Sequence, residues 1–374
     1  MLSKIILLFL FITTNSFSQN AEQNDSLTII FMGDIMGHES QIQSAFDSKS
    51  KSYNYDSIFK KVSPIIKSTD FAIANLEVTL AGEPYTGYPQ FSSPDELAHA
   101  CKQNGIDILV TANNHSCDRG KQGILRTIKV LDSLKILHTG TFKDSVDREK
   151  NNLLILSKNN IRVGLLNYTY GTNGITTPNP TFVNRIDTLT ILSDIQKSDE
   201  AFLDKLIVII HWGNEYESQP SKNQIGIAEF LFKSGVDIVI GSHPHVLQKM
   251  EYQEKYEEND EHLIAYSLGN FVSNQRTSGR DGGAMLKLNL SKKEGEVSIT
   301  SSGYYLIWVN KPIINGKIKF EILPCSEYET NEYDNLDSVS INKMKLFMTD
   351  SRTLLDKENI LIKEIKTNAN VYKK

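Results

Sequence analysis

The chain has 374 residues, 40% hydrophobic and 23% charged, which is the composition of a globular protein with a substantial core and not of a disordered or fibrous one. Its formal net charge is −5, so no overall basic surplus favours nucleic acid or anionic lipid. Three cysteines, Cys101, Cys117 and Cys325, are too sparse for a disulfide scaffold.

The chain opens on "MLSKIILLFLFITTNSFSQN", where Lys4 precedes an apolar run from Ile5 to Ile12 and then small and polar residues. That run is too short to span a bilayer and has the order of a secretory leader. Residues 1–18 therefore read as a signal peptide cleaved after Ser16-Phe17-Ser18. The mature protein is expected to be exported, periplasmic or associated with the cell envelope. "SLTIIFMGD" follows as a short buried strand ending in Gly33-Asp34. "YDSIFKKVSPIIKS" has helical spacing, kinked or broken at Pro64. "DFAIANLEVTL" is a second β-rich run and carries Glu77. "SPDELAHACKQNG" predicts a helix capped by Ser93, with Pro94 at its first position and Gly105 at its stop.

"GIDILVTANNHSCDRG" is another buried strand, ending in Asn113-Asn114-His115, and "DRGKQGILRTIKVLDSLK" is an amphipathic helix. Residues 151–168 read as two antiparallel strands joined by a tight turn at Lys158-Asn159-Asn160. "KLIVIIHWGNEY" ends in His211, "KNQIGIAEFLFKSG" is helical, and "GVDIVIGSHPH" ends in His243 and His245. From Gly282 the pattern alternates and turns at Lys293-Glu294-Gly295, the signature of a hairpin. Residues 24–330 form the expected principal domain, and 331–374 a polar, helical C-terminal extension. Continuous Ile/Val-rich runs indicate strands covered on both faces, and their alternation with helices indicates an α/β architecture.

In such a sheet the carboxyl ends of the strands gather along one rim, where ligands bind. Five strand ends deliver Asp34, Glu77, Asn114-His115, His211 and His243/His245. These are oxygen and imidazole donors of the kind that hold zinc, manganese or iron. Two such metals about 3.5–4 Å apart clamp both the attacking and the leaving oxygens of a displacement. Each residue also has an ordinary structural use. Asp34 can cap a helix, Glu77 can be a solvated strand residue, and His211 or the His243-Pro244-His245 turn can be hydrogen-bonded core. Together they are harder to dismiss, because three of the chain's eight histidines fall at two such strand ends.

Six motifs follow in order between roughly Leu27 and Arg280: Gly33-Asp34-Ile35-Met36; Ala74-Asn75-Leu76-Glu77; Ala112-Asn113-Asn114-His115 with Asp118 and Gly120; His211-Trp212-Gly213 with Glu215-Tyr216; Gly241-Ser242-His243-Pro244-His245-Val246-Leu247-Gln248; and Tyr266-Ser267-Leu268-Gly269-Asn270-Phe271. Together they resemble the CapA/PgsA family of bacterial poly-γ-glutamate capsule biosynthesis proteins. The resemblance implies a four-layer α/β/β/α sandwich of mixed sheets, similar to calcineurin-like metallophosphoesterases, with two divalent transition-metal ions (Mn, Zn or Fe). It implies one ion on Asp34, Glu77 and His245, with Glu77 bridging to a second on Asn114, His211 and His243. His115 would face the substrate as a proton donor or electrostatic stabiliser.

Two departures from active phosphoesterases stand out: Met36 replaces a histidine, and Glu77 replaces a bridging aspartate. His38 is near enough in sequence to substitute as a ligand, or serves as a turn residue. Arg276 and Arg280 flank the loop "NQRTSGRDGG" after Asn270 and, with Asn270, are the candidates for an anionic substrate. As ordinary loop residues they would instead be solvated. Trp212 is expected to pack, and Glu215 and Tyr216 to support the site. The functions open at this point are three. One is a metal-dependent envelope hydrolase or transferase acting on an anionic polymer or small anionic substrate. Another is an assembly protein that grips such a polymer beside a membrane synthase, and the third is a secreted scaffold. None requires nucleic acid.

Overall fold

Residues 25–255, 261–329 and 336–366 are described by the structure, a computed structural model of the chain; the signal peptide expected at 1–18 lies outside them. In chain order, β1 (Asp25–Ile35), β2 (Phe71–Leu76), β3 (Ile108–Val110) and β4 (Leu137–Thr139) form the parallel half of one sheet. A second sheet follows, made of β5 (Leu154–Lys158), β6 (Ile161–Thr169), β7 (Lys205–His211), β8 (Ile238–Ser242), β9 (Met250–Gln253) and β10 (His262–Ala265). The chain then returns to the first sheet with β11 (Asn270–Val272), β12 (Gly282–Lys293), β13 (Glu296–Asn310) and β14 (Glu321–Pro324). The first sheet runs β14-β13-β12-β1-β2-β3-β4, with β11 paired to the end of β1, and the second runs β9-β10-β8-β7-β6-β5. Both mix parallel and antiparallel pairs.

Side chains alternate across each strand, and that alternation builds the layers. Leu27, Ile29, Phe31 and Ile73 face the second sheet and pack with Val163, Leu165, Ile207, Ile209, Ile238 and Ile240. Their neighbours Ile30, Met32 and Ala72 face outward, onto Ile58, Leu97, Cys101 and Leu131 from the covering helices. On the far side Leu166, Val208, Ile210 and Val239 meet Ile191, Ile195, Ala228 and Leu231 of helices Thr188–Ser198 and Lys222–Lys233. The result is the four-layer α/β/β/α sandwich. Each such aliphatic side chain stabilises the fold by roughly 1.5–3 kcal/mol on full burial.

Both predicted hairpins form. Asn159 and Asn160 take φ of 48° and 58° between β5 and β6, the left-handed pair that a two-residue hairpin requires. Glu294 and Gly295 do the same between β12 and β13. Two helix signals resolve differently: the break at Pro64 forms and the cap at Ser93 does not. Pro64 lies in the first turn of Ser63–Lys67, so it starts a helix separate from Asp56–Phe59. The next helix is Glu96–Gln103 and is not capped by Ser93, whose N–H instead donates to Thr79 O at 2.9 Å. Near the C-terminus, helix Ser338–Glu358 buries Met344, Phe347, Met348 and Leu355 against the inter-sheet core beside Trp308. All three cysteines are free and buried. Among the described residues no helix is long and apolar enough to cross a membrane.

Candidate metal centre

The carboxyl ends of β1, β2, β7 and β8 converge at one place because both sheets present their parallel halves there. At the end of β1 a register shift between Met32 and Asp34 turns the aspartate inward. Gly33 makes that possible, since a Cβ on it would lie 1.9 Å from Gly269 O. The same close approach lets Asp34 N donate to Gly269 O at 3.1 Å.

Asp34, Glu77, Asn114, His211, His243 and His245 are all buried and meet in this cluster. His245 Nδ1 is 3.1 Å from Asp34 Oδ2, and Glu77 Oε1 is 3.6 Å from His211 Nε2 and 3.7 Å from His245 Nε2. His211 Nε2 is 2.9 Å from Asn114 Oδ1. Two triads have donor atoms within 4.8 Å of one another, Asp34–Glu77–His211 and Glu77–His243–His245. Glu77 belongs to both, as a bridging ligand would. The triads divide the other donors differently from the expected sets, pairing His211 with Asp34 and His243 with His245. The reason is crowding: the His211 and His243 ring centres are 4.7 Å apart, so no gap separates one group from the other.

The chemistry of the cluster fits divalent cations. Both Glu77 oxygens and His243 Nδ1 are buried without a hydrogen-bond partner among the described residues. An unsatisfied buried polar group costs about 1–3 kcal/mol and a charged one more, so such a set persists when something else satisfies it. Burial, and then the neighbouring Asp34 charge, push the Glu77 carboxyl well above the usual range. Burial pushes Asp34 the same way, but His245 and Asn75 outweigh it and hold its carboxyl low. Burial and the other imidazoles hold His211 well below the ordinary histidine value and His243 down to about 4. Neutral imidazoles are the ligating form.

The His243-Pro244-His245 segment is not an extended strand with two rings on one face. His243 has φ of 100° and His245 of 57°, left-handed conformations uncommon for histidine, and the turn brings the rings to 6.0 Å. Backbone strain of this kind concentrates at functional sites. The conformation sets this segment apart from an ordinary strand end and places both rings in the cluster.

A hydrogen-bonded shell orients these donors, and sequence reasoning did not assign its roles. Asn75 Nδ2 donates to Asp34 Oδ1 at 2.8 Å, and Asn75 Oδ1 accepts from Asn113 Nδ2 at 3.2 Å. Asn113 Oδ1 accepts from His115 N, and His115 Nδ1 is 2.8 Å from Asp118 Oδ2. Ser242 Oγ is 3.0 Å from His211 Nδ1. Tyr170, 43% exposed, places its ring 4.6 Å from His243 at the mouth. The asparagines could have been found, being the polar residues next to each predicted donor. Tyr170 follows β6 with no flanking pattern to mark it.

The remaining predicted residues divide. Asn270 belongs to the shell, with Oδ1 3.1 Å from His245 Nδ1 and Nδ2 donating to Arg280 O at 2.8 Å. Arg280 stacks on Tyr216. Arg276 is turned elsewhere, donating to Val309 O at 2.7 Å and lying over the Trp308 ring, because burial draws its stem toward that indole. His38 is not in either triad. Its Nδ1 accepts from Asn274 N at 3.3 Å, next to helix Glu39–Ala45, and burial lowers its pKa to about 4. Trp212 packs as expected, with its ring N–H on Tyr266 O.

Residues 28–275 match the family described as bacterial capsule synthesis protein PGA_cap. The chain belongs to this family. It is 30% identical over 281 residues to the capsule biosynthesis protein CapA of Bacillus anthracis, covering 72% of this chain and 65% of that one. It is 27% identical over 290 residues to the PGA biosynthesis protein CapA of Bacillus subtilis, covering 72% and 69%. The chain thus spans just under two thirds of the anthracis relative. Among solved structures it is similar to an NAD nucleotidase of Haemophilus influenzae (TM-score 0.48, 14% identity, 92% of this chain and 65% of that one). It is also similar to a calcineurin-like phosphoesterase of Bacillus subtilis (TM-score 0.45, 15% identity, 88% and 98%). The matched region of this capsule-synthesis family member carries every donor of the metal centre.

Proposed function

We propose that this capsule-synthesis family member is an exported, metal-dependent hydrolase of an anionic envelope polymer, poly-γ-glutamate or a chemical relative. The observation that carries this reading is Glu77, a fully buried carboxyl group whose two oxygens have no hydrogen-bond partner among the described residues and lie among three imidazoles. Asp34, Glu77, Asn114, His211, His243 and His245 would hold two divalent ions. When bound, such ions polarise an acyl or phosphoryl oxygen and lower the pKa of water.

The chain's own residues supply the proton chemistry. Asp118 Oδ2 accepts from His115 Nδ1, which fixes the tautomer and leaves Nε2 as the working nitrogen. Phe91 locks the pair, since its N–H donates to the same Asp118 oxygen at 2.7 Å and its ring meets the His115 ring edge-on at 4.6 Å. Once Nε2 has also taken up a proton, the imidazolium beside Asp118 would give that proton to the leaving group and return to the Nδ1–H form, a step typically worth about 10²–10⁴ in rate. Asn75 and Asn113 keep Asp34 and His115 in register with each other.

The test incubates metal-loaded protein with poly-γ-glutamate, glutamyl peptides and phosphodiester model compounds, and looks for new chain ends. Cleavage that disappears in Asp34→Ala and falls in His115→Ala supports the hydrolase. Metal-dependent binding of the polymer without cleavage supports an assembly role beside a membrane synthase instead, and neither result across several metals sinks both.

A further inference from the structure

Arg280 is a cation at the mouth of the candidate metal centre that forms no ion pair among the described residues. Its guanidinium lies 3.3 Å from the centre of the Tyr216 ring. Among the described residues it has neither an ion-pair partner nor a side-chain hydrogen bond. Stacking occupies the face of the guanidinium plane and leaves its five N–H groups, which lie in that plane, free for a planar anion. Arg276 makes the contrast, being engaged by Val309 O and Trp308.

Both halves of the stack are anchored to the metal-ligating turn. Tyr216 N donates to Pro244 O, between the two histidines, at 2.8 Å, and its ring is 6.3 Å from that of His245. Arg280 O accepts from Asn270 Nδ2 at 2.8 Å, and Asn270 Oδ1 meets His245 Nδ1 at 3.1 Å. Two short steps, 3.3 Å and 6.3 Å, therefore link the guanidinium to a metal-ligand ring. Burial, and then the neighbouring Glu215, push the Tyr216 hydroxyl up to about 12, so an acid also lies beside the stack. A cation held at fixed distance from a metal centre, with its donors unused, measures the spacing between two acidic groups of one ligand.

We propose that Arg280, seated on Tyr216, forms a second anion subsite that takes a carboxylate or phosphate of the substrate while another acidic group occupies the metal centre. The protein thereby selects ligands that carry two spaced anions. This rests on the metal-centre reading and adds to it the class of ligand.

The experiment measures binding to the manganese-loaded chain by calorimetry, with metal content determined on the same samples. The probes are butyrate and the dicarboxylates from glutarate to suberate, and in parallel propyl phosphate and 1,3-propanediol bisphosphate. In the wild type at least one doubly charged probe should bind about tenfold or more tighter than its singly charged partner, the range of one hydrogen-bonded ion pair. Whichever series shows that preference identifies carboxylate or phosphate as the group Arg280 reads. Arg280→Gln should erase the preference while the singly charged probe and the metal content change less than about twofold. Tyr216→Leu, which keeps the charge but removes its seat, should also erase it. A wild type without preference in either series overturns the subsite. So does an Arg280→Gln protein that keeps the preference or weakens both kinds of probe equally. If the wild type holds no metal, the metal-centre reading has failed and the subsite falls with it. Bound metal with an unaltered preference in Arg280→Gln removes the subsite alone.

Discussion

Replacing Glu77 by glutamine should have opposite effects on the metal-free and metal-loaded protein. In the metal-free chain both Glu77 oxygens are buried and unpaired, and the Asp34 carboxylate is a close neighbour. Burial and Asp34 hold its carboxyl well above the usual range, so folding carries the cost of either protonating it or burying its charge, and glutamine keeps the volume while removing both; an unsatisfied buried group costs about 1–3 kcal/mol. Glu77→Gln should therefore stabilise the stripped protein by about 1–3 kcal/mol. The melting temperature would rise by a few degrees, because 1 kcal/mol is worth about 2–4 °C at 150–250 residues and less in a longer chain. With metal present the sign reverses. A ligand at a thousandfold excess over its Kd stabilises the native state by about 4 kcal/mol, and a glutamine that cannot bridge forfeits most of that. Thermal unfolding of both proteins in EDTA and in excess manganese should show the two curves exchange order. The reasoning is refuted if EDTA leaves the wild type unmoved and Glu77→Gln is the less stable protein in both conditions.

Asp118→Ala removes the acceptor that fixes His115 Nδ1, so turnover should fall by about 10²–10⁴, as in His115→Ala; elemental analysis should find metal retained in both, and lost metal would reassign the pair to ligation. Gly33→Ala would force a methyl within 1.9 Å of Gly269 O; the β1–β11 contact should open and metal content fall, and a variant with normal metal and melting temperature would show that the close approach is dispensable. Lys205 lies 3.0 Å from both Asp237 and Glu261 at the opposite ends of the strands. Lys205→Ala leaves those carboxylates unpaired and should cost about 3–5 kcal/mol in chemical denaturation without altering metal content. Burial pulls the Lys205 ammonium down, but Asp237 and Glu261 more than offset it and raise its pKa. Its contribution is therefore complete below the ordinary lysine value and lost as pH rises through the higher folded one. A wild-type stability that holds above that range, or a neutral Lys205→Ala, would contradict the ion triad.

The strand ends were legible because buried parallel strands must be apolar, so each polar residue at the end of an Ile/Val run is conspicuous. Asp34, Glu77, His211, His243 and His245 all stand out in that way. The hairpins were legible because Asn159-Asn160 and Glu294-Gly295 are residues that tolerate left-handed φ. What stayed hidden depends on contacts between distant segments. Nothing local tells that Asn75 reaches both Asp34 and Asn113, or that Arg276 turns to Trp308 while Arg280 turns to Tyr216. Ser93 looked like a helix cap in its own context, but the helix starts later, at Glu96 with Asp95 as its N-cap. The grouping of the donors into the two triads was equally out of reach, because it depends on ring separations of a few ångströms.

The most direct test of the metal centre is the metal content of purified wild type and of the His243→Ala/His245→Ala double variant after equilibration with manganese, zinc or iron. Far-UV circular dichroism on the same samples shows whether the fold survives, as it should for residues outside the apolar layers. The expected result is close to two ions per wild-type chain and a loss of at least one in the double variant with the spectrum unchanged. A wild type that holds no metal, or a folded double variant with undiminished content, contradicts the assignment.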